Sequence, residues 1–560
     1  MKAWEAVAAA LVAEGVTEVF GVMGDGNLKL IPHITSTHGV RMVAARHESA
    51  ALAMADGYAR TSGRVGVCSV TQGPGLTNTL TALISARKAG TPLVLLTGDT
   101  PHGVPGLPQD CDQEALLAAA GVPVQPFSSA SAAADVAAAF ATARGGPGPV
   151  ALSMPTDVQD EESVQDEESA ADEAVVTVAE TAPTPASVVA EPDESSLAEA
   201  AALLASAERP VVLAGRGAIR AGAKEAAIAL ADEVGALLAT TLPAKSWFDG
   251  HPWSVGICGG FATPLGADLI ADADVVVVLG AGVNSFTNRA GALLHEPTKI
   301  VHVDVDPAAV GRYTPAAVSV VGDARVVATR LREMVAGSSP RDGFRTEEVA
   351  ERLRTFDLGD AHDDEGVDGA LDPRTVCAEL EHLLPANRQL ITDGGHFCGF
   401  PASYLSVPEP SAFLFSLDFG SVGLGLGSAI GAAVAHPERL TVLVIGDGGL
   451  MMSLGDLETL SREQVPMLVL VFDDGAYGAE LHFLRMLGLP EEESLFTTPD
   501  LVAVAESVGA RGMLIETLDD LKGLAAECVD LRHPLVAHIP VNRDVRAGWL
   551  EEAFARKVGE

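Results

Sequence analysis

The stretches TVLVIGDGG (441–449) and PMLVLVFDDG (466–475) decide how this chain is read. Each is a short run of β-branched and aliphatic residues, the composition of a strand buried on both faces of a parallel sheet, and each breaks into glycine and aspartate at its carboxyl end. In α/β proteins, ligands bind outside the carboxyl ends of such strands. Asp447 closes the first strand and Asp473-Asp474 the second, with 24 residues (449–472) between Gly448 and Asp473. A carboxylate at each of two strand ends suits a hard divalent cation such as Mg2+, which takes a few protein oxygens and completes its octahedron with ligand phosphates. Gly446, Gly448 and Gly449 remove side chains where a diphosphate would approach the backbone. Either turn alone reads equally well as a plain strand-to-helix connection; the two together, at this spacing, carry the assignment.

Such a local device is what the overall charge demands. Lys plus Arg number 36 and Asp plus Glu 76, a formal net charge of −40, so no bulk basic surface is expected to collect nucleic acid or an anionic membrane. With 48% hydrophobic and 20% charged residues, the composition is that of a soluble globular protein. No apolar stretch reaches the roughly 18 residues of a membrane span, and Glu5 and Glu14 interrupt the first apolar segment, unlike a secretory signal. A cytoplasmic protein is expected. Six scattered cysteines without a CxxC pair suggest neither a zinc site nor a disulfide framework.

Outward from the two strands, the 560 residues predict about three domains at roughly 100–200 residues each. The fold class is α/β, three doubly wound parallel-sheet domains spanning 1–158, 197–340 and 373–560. Two acidic linkers separate them. Residues 159–196 hold twelve Asp or Glu and no Lys or Arg, with VQDEES written twice in succession (158–163 and 164–169). Residues 341–372 set eleven acidic residues against four arginines, and their first part reads as a short surface helix.

With these motifs in hand, the chain resembles the thiamine diphosphate (ThDP) enzymes over nearly its whole length, on the signature of GDG, some two dozen residues, then a second polar pair. It departs in having Asp473-Asp474 where the family usually has Asn-Asn, which adds a negative charge beside the diphosphate. The resemblance implies that Asp447, Asp474 and the main-chain carbonyl of Ala476 hold Mg2+, with Tyr477 beside the cofactor. It makes Glu48, in RHESAALAMADGYAR (46–60), the glutamate that hydrogen-bonds the aminopyrimidine N1′ and activates ThDP. In FGSVGLGLG (419–427) it makes Val422 the wedge that bends the cofactor, with Gly420 on the aminopyrimidine. DGGHF (393–397) brings Gly395 and His396 to the diphosphate. Without the resemblance, Glu48 reads as a helix-dipole partner, Val422 as a core valine and His396 as a structural histidine. The resemblance further implies a homodimer or homotetramer with active sites at the subunit interface.

Within the family, GPVALSMPTDV, GRGA and HVDVDP look like the acetolactate synthase large subunit, and Gln113 in CDQEALL falls where those enzymes have an active-site glutamine. The implied activity is decarboxylation of a 2-oxo acid and carboligation of the resulting enamine to a second carbonyl compound. After the metal motif the likeness lapses: Ala479, Glu480 and Phe483 stand where the synthases have a Met, an aliphatic residue and a Trp. Glu480 lies six residues after Asp474, the offset at which pyruvate decarboxylases carry a catalytic glutamate. A partly buried Glu480 would move a proton; a solvated one would pair with Arg485. His482 is a weaker candidate for the same work. The alternative activity is thus simple decarboxylation to an aldehyde. GRGA is compatible with the non-catalytic FAD of synthase-like central domains, but GAGVNSFTNRAG (280–291) is not their usual segment, so FAD is possible and not implied. An NAD-dependent oxidoreductase would leave Glu48, Asp447 and Asp474 without a role, and a non-catalytic paralogue would be expected to have lost one of them.

Overall fold

Residues 1–104, 106–146, 148–163, 191–336 and 342–551 are described by a computed structural model. Most of the first acidic stretch, including the second VQDEES, lies outside the described residues. The remaining chain forms three six-stranded sheets in which every pair of neighbouring strands is parallel. The first holds β1 (Glu18–Gly21), β2 (Arg41–Ala44), β3 (Gly66–Val70), β4 (Leu93–Asp99), β5 (Val124–Gln125) and β6 (Val150–Pro155), ordered β2-β1-β3-β4-β6-β5. The second holds β7 (Pro210–Ala214), β8 (Leu237–Thr240), β9 (Ser254–Ile257), β10 (Val275–Leu279), β11 (Lys299–Asp304) and β12 (Val318–Val321), ordered β12-β11-β10-β7-β8-β9. The third holds β13 (Arg388–Thr392), β14 (Phe413–Phe415), β15 (Leu440–Gly446), β16 (Met467–Asp473), β17 (Arg511–Leu514) and β18 (Leu535–Pro540), ordered β14-β13-β15-β16-β18-β17.

Strands such as VVVVL in β10 and LTVLVIG in β15 are apolar almost end to end because helices cover both faces; all five residues of β10 are buried. Parallel strands need long crossovers, and the helices supply them. The acidic stretch 341–372 carries more structure than its charge implies. Helix Glu347–Thr355 is capped by the Thr346 side chain, which accepts from the Val349 amide at 3.2 Å, and Phe344 and Val349 are buried in the core of the second sheet's domain. Among the described residues, no helix is long and apolar enough to cross a membrane. Five cysteines are buried and Cys111 is half-buried, all of them unpaired.

The first and third sheets are joined by two helices that cross at glycines. Helix Glu48–Ser62 packs on helix Gly425–Ala435. A Cβ on Gly57 would fall on the Ser428 carbonyl oxygen, and a Cβ on Gly431 on that of Met54. Removing both side chains lets the backbones touch, and Leu52, Met54, Leu426 and Ile430 fill one apolar core shared by the two domains. Around it, Arg46 donates to Glu458 at 2.6 and 2.7 Å and its amide to Asp456 at 2.9 Å, while Arg60 lies 2.8 Å from Asp418 and 3.5 Å from Asp56.

This crossing generates a paired prediction. Gly431→Ala is expected to destabilise the protein by about 1–3 kcal/mol, the cost of forcing a methyl into a filled core. Gly145→Ala, in a helix where a Cβ meets nothing within 4 Å, is expected to be neutral or to stabilise by up to ~1 kcal/mol. Thermal unfolding of both variants checks the difference in sign.

Candidate active site

β15 and β16 are neighbours with Gly446 opposite Phe472, so Asp447 and Asp473 leave the sheet side by side. Beyond the strand ends opens a cleft of about 170 Å3, whose walls include Gly395, His396, Val422, Asp447, Asp474 and Glu480. Gly420, Gly446, Gly448, Gly449, Ala476 and Tyr477 also line it. Residues named from four separate motifs of the third domain therefore meet around one space.

The two aspartates of the DDG turn face different ways. Asp474 is 7% exposed and faces the cleft, where its carboxylate also accepts the Ala476 amide at 3.0 Å. Asp473 turns inward: its Oδ2 lies 2.7 Å from Nε2 of His538 on β18, and its Oδ1 accepts the Gly475 amide at 3.0 Å. The Thr498 hydroxyl lies 2.7 Å from Asp473 Oδ1 and 2.6 Å from Asp447 Oδ2; with one proton, it can donate to only one of them at a time. Burial pushes the Asp474 carboxyl up to about 7. Burial also pushes Asp447 up, with the neighbouring carboxylates adding to it. Asp473 is half-buried, which alone would raise it, yet hydrogen bonding with His538 and Thr498 holds it below the usual range.

Asp447 and Asp474 are thus carboxylates drawn from water, and among the described residues no Lys or Arg pairs with either. A hard divalent cation fits this oxygen donor set. No group of three or more His, Cys, Asp or Glu side chains among the described residues is placed to hold a metal alone, so a backbone carbonyl and ligand oxygens would complete the shell. The glycines fit a close ligand less simply. A Cβ on Gly446 would sit 2.9 Å from the Phe397 ring and one on Gly449 2.5 Å from Asp393 Oδ2. Packing within the protein already requires those two glycines. Gly420, at φ +77°, faces open space. Val422, 36% exposed, stands in the cleft with its methyls against Gly394 and Gly449.

His396 is buried, and burial pushes its imidazole down to about 3, so the ring is neutral. Its Nδ1 lies 3.6 Å from Asp474 Oδ2 and its carbonyl accepts the Trp549 indole N–H at 3.1 Å. His482, also buried, stands behind it with ring centroids 5.0 Å apart and Nε2 unpartnered. Glu480 reaches the cleft but is exposed at its rim, so the partly buried carboxyl envisaged from the sequence is absent from the single chain. Nor does it pair with Arg485, which binds Glu491 at 3.1 Å and Asp544 at 2.8 Å.

Glu48 and Gln113 are not on this cleft. Glu48 begins its helix behind the cap of His47 and accepts from Asn78 Nδ2 at 2.9 Å. Gln113 is buried with both amide ends engaged, accepting from the Gly73 amide at 2.8 Å and donating to the Gly98 carbonyl at 2.9 Å. It clamps the TQGPG turn to the end of β4. Nearby, Gln72 donates to Gln109 at 2.8 Å and lies 3.4 Å from Asp25, a polar group at the carboxyl edge of the first sheet that sequence reading did not select. Thr498, His538 and Asp393 were also missed. The first two are isolated residues in unremarkable segments, and Asp393 sits in the DGGHF motif, where its burial had no sequence signal.

Three family models match the chain in order: the thiamine pyrophosphate enzyme N-terminal TPP-binding domain over residues 1–116, the central domain over 197–331 and the C-terminal TPP-binding domain over 393–539. The chain is 31% identical to the "Probable acetolactate synthase large subunit" of Methanocaldococcus jannaschii, covering 97% of this chain and 92% of that one. It is 29% identical to the sulfoacetaldehyde acetyltransferase of Castellaniella defragrans, covering 99% and 95%. The fold is that of the thiamine diphosphate-dependent 4-hydroxybenzoylformate decarboxylase of Rhodococcus jostii RHA1, with a TM-score of 0.79 at 22% identity over 97% of this chain and 99% of that one. Carrying all three domain types in sequence, and alignable almost end to end with the Methanocaldococcus jannaschii relative, this chain belongs to the thiamine pyrophosphate enzyme family, with acetolactate synthase large subunits among its relatives.

Proposed function

We propose that this protein uses ThDP and Mg2+ to decarboxylate a 2-oxo acid and ligate the product to a second carbonyl compound. The observation that carries the reading is the pair of buried carboxylates, Asp447 and Asp474, on one cleft, with no Lys or Arg in a salt bridge to either among the described residues. Bound there, the cofactor would supply a nucleophilic carbon and an electron sink for loss of CO2. Asp447, Asp474 and the Ala476 carbonyl would hold the metal. Gly395 and His396 would border the diphosphate; a neutral His396 donates or accepts a hydrogen bond without adding charge. Val422 would support the bent cofactor from below, with Gly420 leaving its backbone open. Glu48 would hold the proton at ring N1′. Glu480, at the cleft rim, is placed to give or take a proton once that rim is covered.

Glu48 lies off the cleft of its own chain, which supports an assembly in which two copies pair and each lends its Glu48 to the other's cleft. Exposed Phe419 and Val422, together with Met451 and Met452, are consistent with a covered face. The likeness to acetolactate synthases over most of the chain favours ligation. Simple release of an aldehyde is the second reading, favoured by a glutamate at position 480.

Incubation with ThDP, Mg2+ and a panel of 2-oxo acids, with and without aldehyde or 2-oxo acid acceptors, is expected to give ligated products by mass. Aldehyde alone would establish the second reading, and no CO2 release under any condition would sink both. Glu48→Gln is expected to abolish CO2 release, and Asp447→Asn to do the same by loss of the metal. Mixed after co-expression, the two variants should recover about a quarter of wild-type turnover, since half of randomly paired dimers carry one intact site in two. No recovery would place each site within a single chain. Glu480→Gln should shift the ratio of aldehyde to ligated product; an unchanged rate and ratio would remove Glu480 from the chemistry.

A further inference from the structure

Asp393 follows β13 and takes no part in the chemistry above, yet its surroundings are out of the ordinary for a carboxylate. It is 0% exposed, and among the described residues no Lys, Arg or His pairs with it. Its partners come from the segment that carries the proposed wedge. The Gly423 amide donates to Oδ2 at 2.9 Å and to Oδ1 at 3.1 Å, the Gly425 amide donates to Oδ1 at 3.0 Å, and the Ser416 hydroxyl lies 3.4 Å from Oδ1. Burial pushes its carboxyl up to about 6 against the pull of these donors. If this position only filled space, an uncharged residue would do so without taking a charge out of water.

The segment needs such a clamp. Gly420 at φ +77° and Gly423 at φ +87° flank Val422, so the loop has a backbone course that chain preference alone does not select, and glycine leaves it free to take many others. Asp393 also abuts the GDGG turn, because a Cβ on Gly449 would meet its Oδ2. One carboxylate thus touches the Val422 loop and borders the turn that bears Asp447. On the far side, Arg60 holds Asp418 at 2.8 Å and donates to the Phe415 carbonyl at 3.2 Å, so the loop is anchored at both ends.

We propose that Asp393 is a positioning residue that fixes the Val422 loop in its cofactor-supporting course before any ligand arrives. The inference rests on the ThDP reading for what Val422 supports, and on geometry alone for the clamp. Preorganisation of this kind lowers the ordering cost of binding. It acts on the part of the ligand that lies over Val422 and leaves the diphosphate end untouched.

The test uses calorimetric titration of the full-length protein with ThDP plus Mg2+, and separately with inorganic pyrophosphate plus Mg2+. Asp393→Asn keeps the shape but turns an N–H toward Gly423. It is expected to weaken ThDP roughly tenfold, the effect of one buried mismatched donor, while pyrophosphate stays within about twofold. Val422→Ala should reproduce that selectivity. Unchanged ThDP affinity in Asp393→Asn, or equal loss for both ligands, overturns the proposal. If Asp393→Asn does not fold, amide exchange in the ligand-free wild type decides. Gly423 and Gly425 protected like the interior of helix Gly425–Ala435 support the clamp, and exchange at the rate of an unstructured glycine overturns it. A wild type that binds neither ligand overturns the cofactor reading, and the exchange measurement still judges the clamp.

Discussion

Two carboxylates held out of water within one strand spacing of each other set the terms for the third domain. Adjacent strands lie about 4.8 Å apart, and the register of β15 against β16 brings Asp447 alongside Asp473, with Asp474 one residue on. Like charges this close, in a buried setting, repel strongly. The protein meets the problem twice, in different ways. For Asp473 it provides its own donors, His538 from β18 and Thr498 from the loop before the next helix. For Asp447 and Asp474 it provides only partial relief, and both are pushed toward the neutral form. A cation bound there, as proposed above, would relieve the site and would couple its own binding to the charge state of the two carboxylates.

That division accommodates one of the two charges that Asp473-Asp474 adds where the family usually has two asparagines. The added charge at 473 faces a histidine rather than the cleft. The cleft itself keeps a carboxylate at 474, which offers a metal an oxygen. Around these carboxylates the walls come from strand ends and packed glycine turns, with the Val422 loop held to them through Asp393.

Much of this was legible in the chain itself. Apolar runs ending in glycine and aspartate identify buried parallel strands because both faces must be covered, and three such blocks implied three sheets. The gathering of DGGHF, the Val422 segment, GDGG and DDG around one cleft follows from their positions at strand ends. What sequence could not separate was Asp473 from Asp474, since the residues that divide them come from β18 and from a loop far along the chain. Gln113 was visible as a position, but not that its amide would be occupied by Gly73 and Gly98. Glu480 lines the cleft, but the burial expected of it needs atoms that its own helix does not provide. The second acidic stretch hid a packed segment because Phe344 and Val349 are sparse among eleven acidic residues.

The crossing at Gly57 and Gly431 has a consequence for how such a protein can change over generations. Each glycine is fitted to a backbone carbonyl on the opposite helix, so neither can take a side chain while the two backbones stay in contact. The two lie in different domains, near opposite ends of the chain, yet they behave as one inherited unit. A first domain borrowed from a distant relative would have to arrive with a matching third domain, and the central domain is tied in as well, since Leu242, Ile257 and Phe261 share a core with the third.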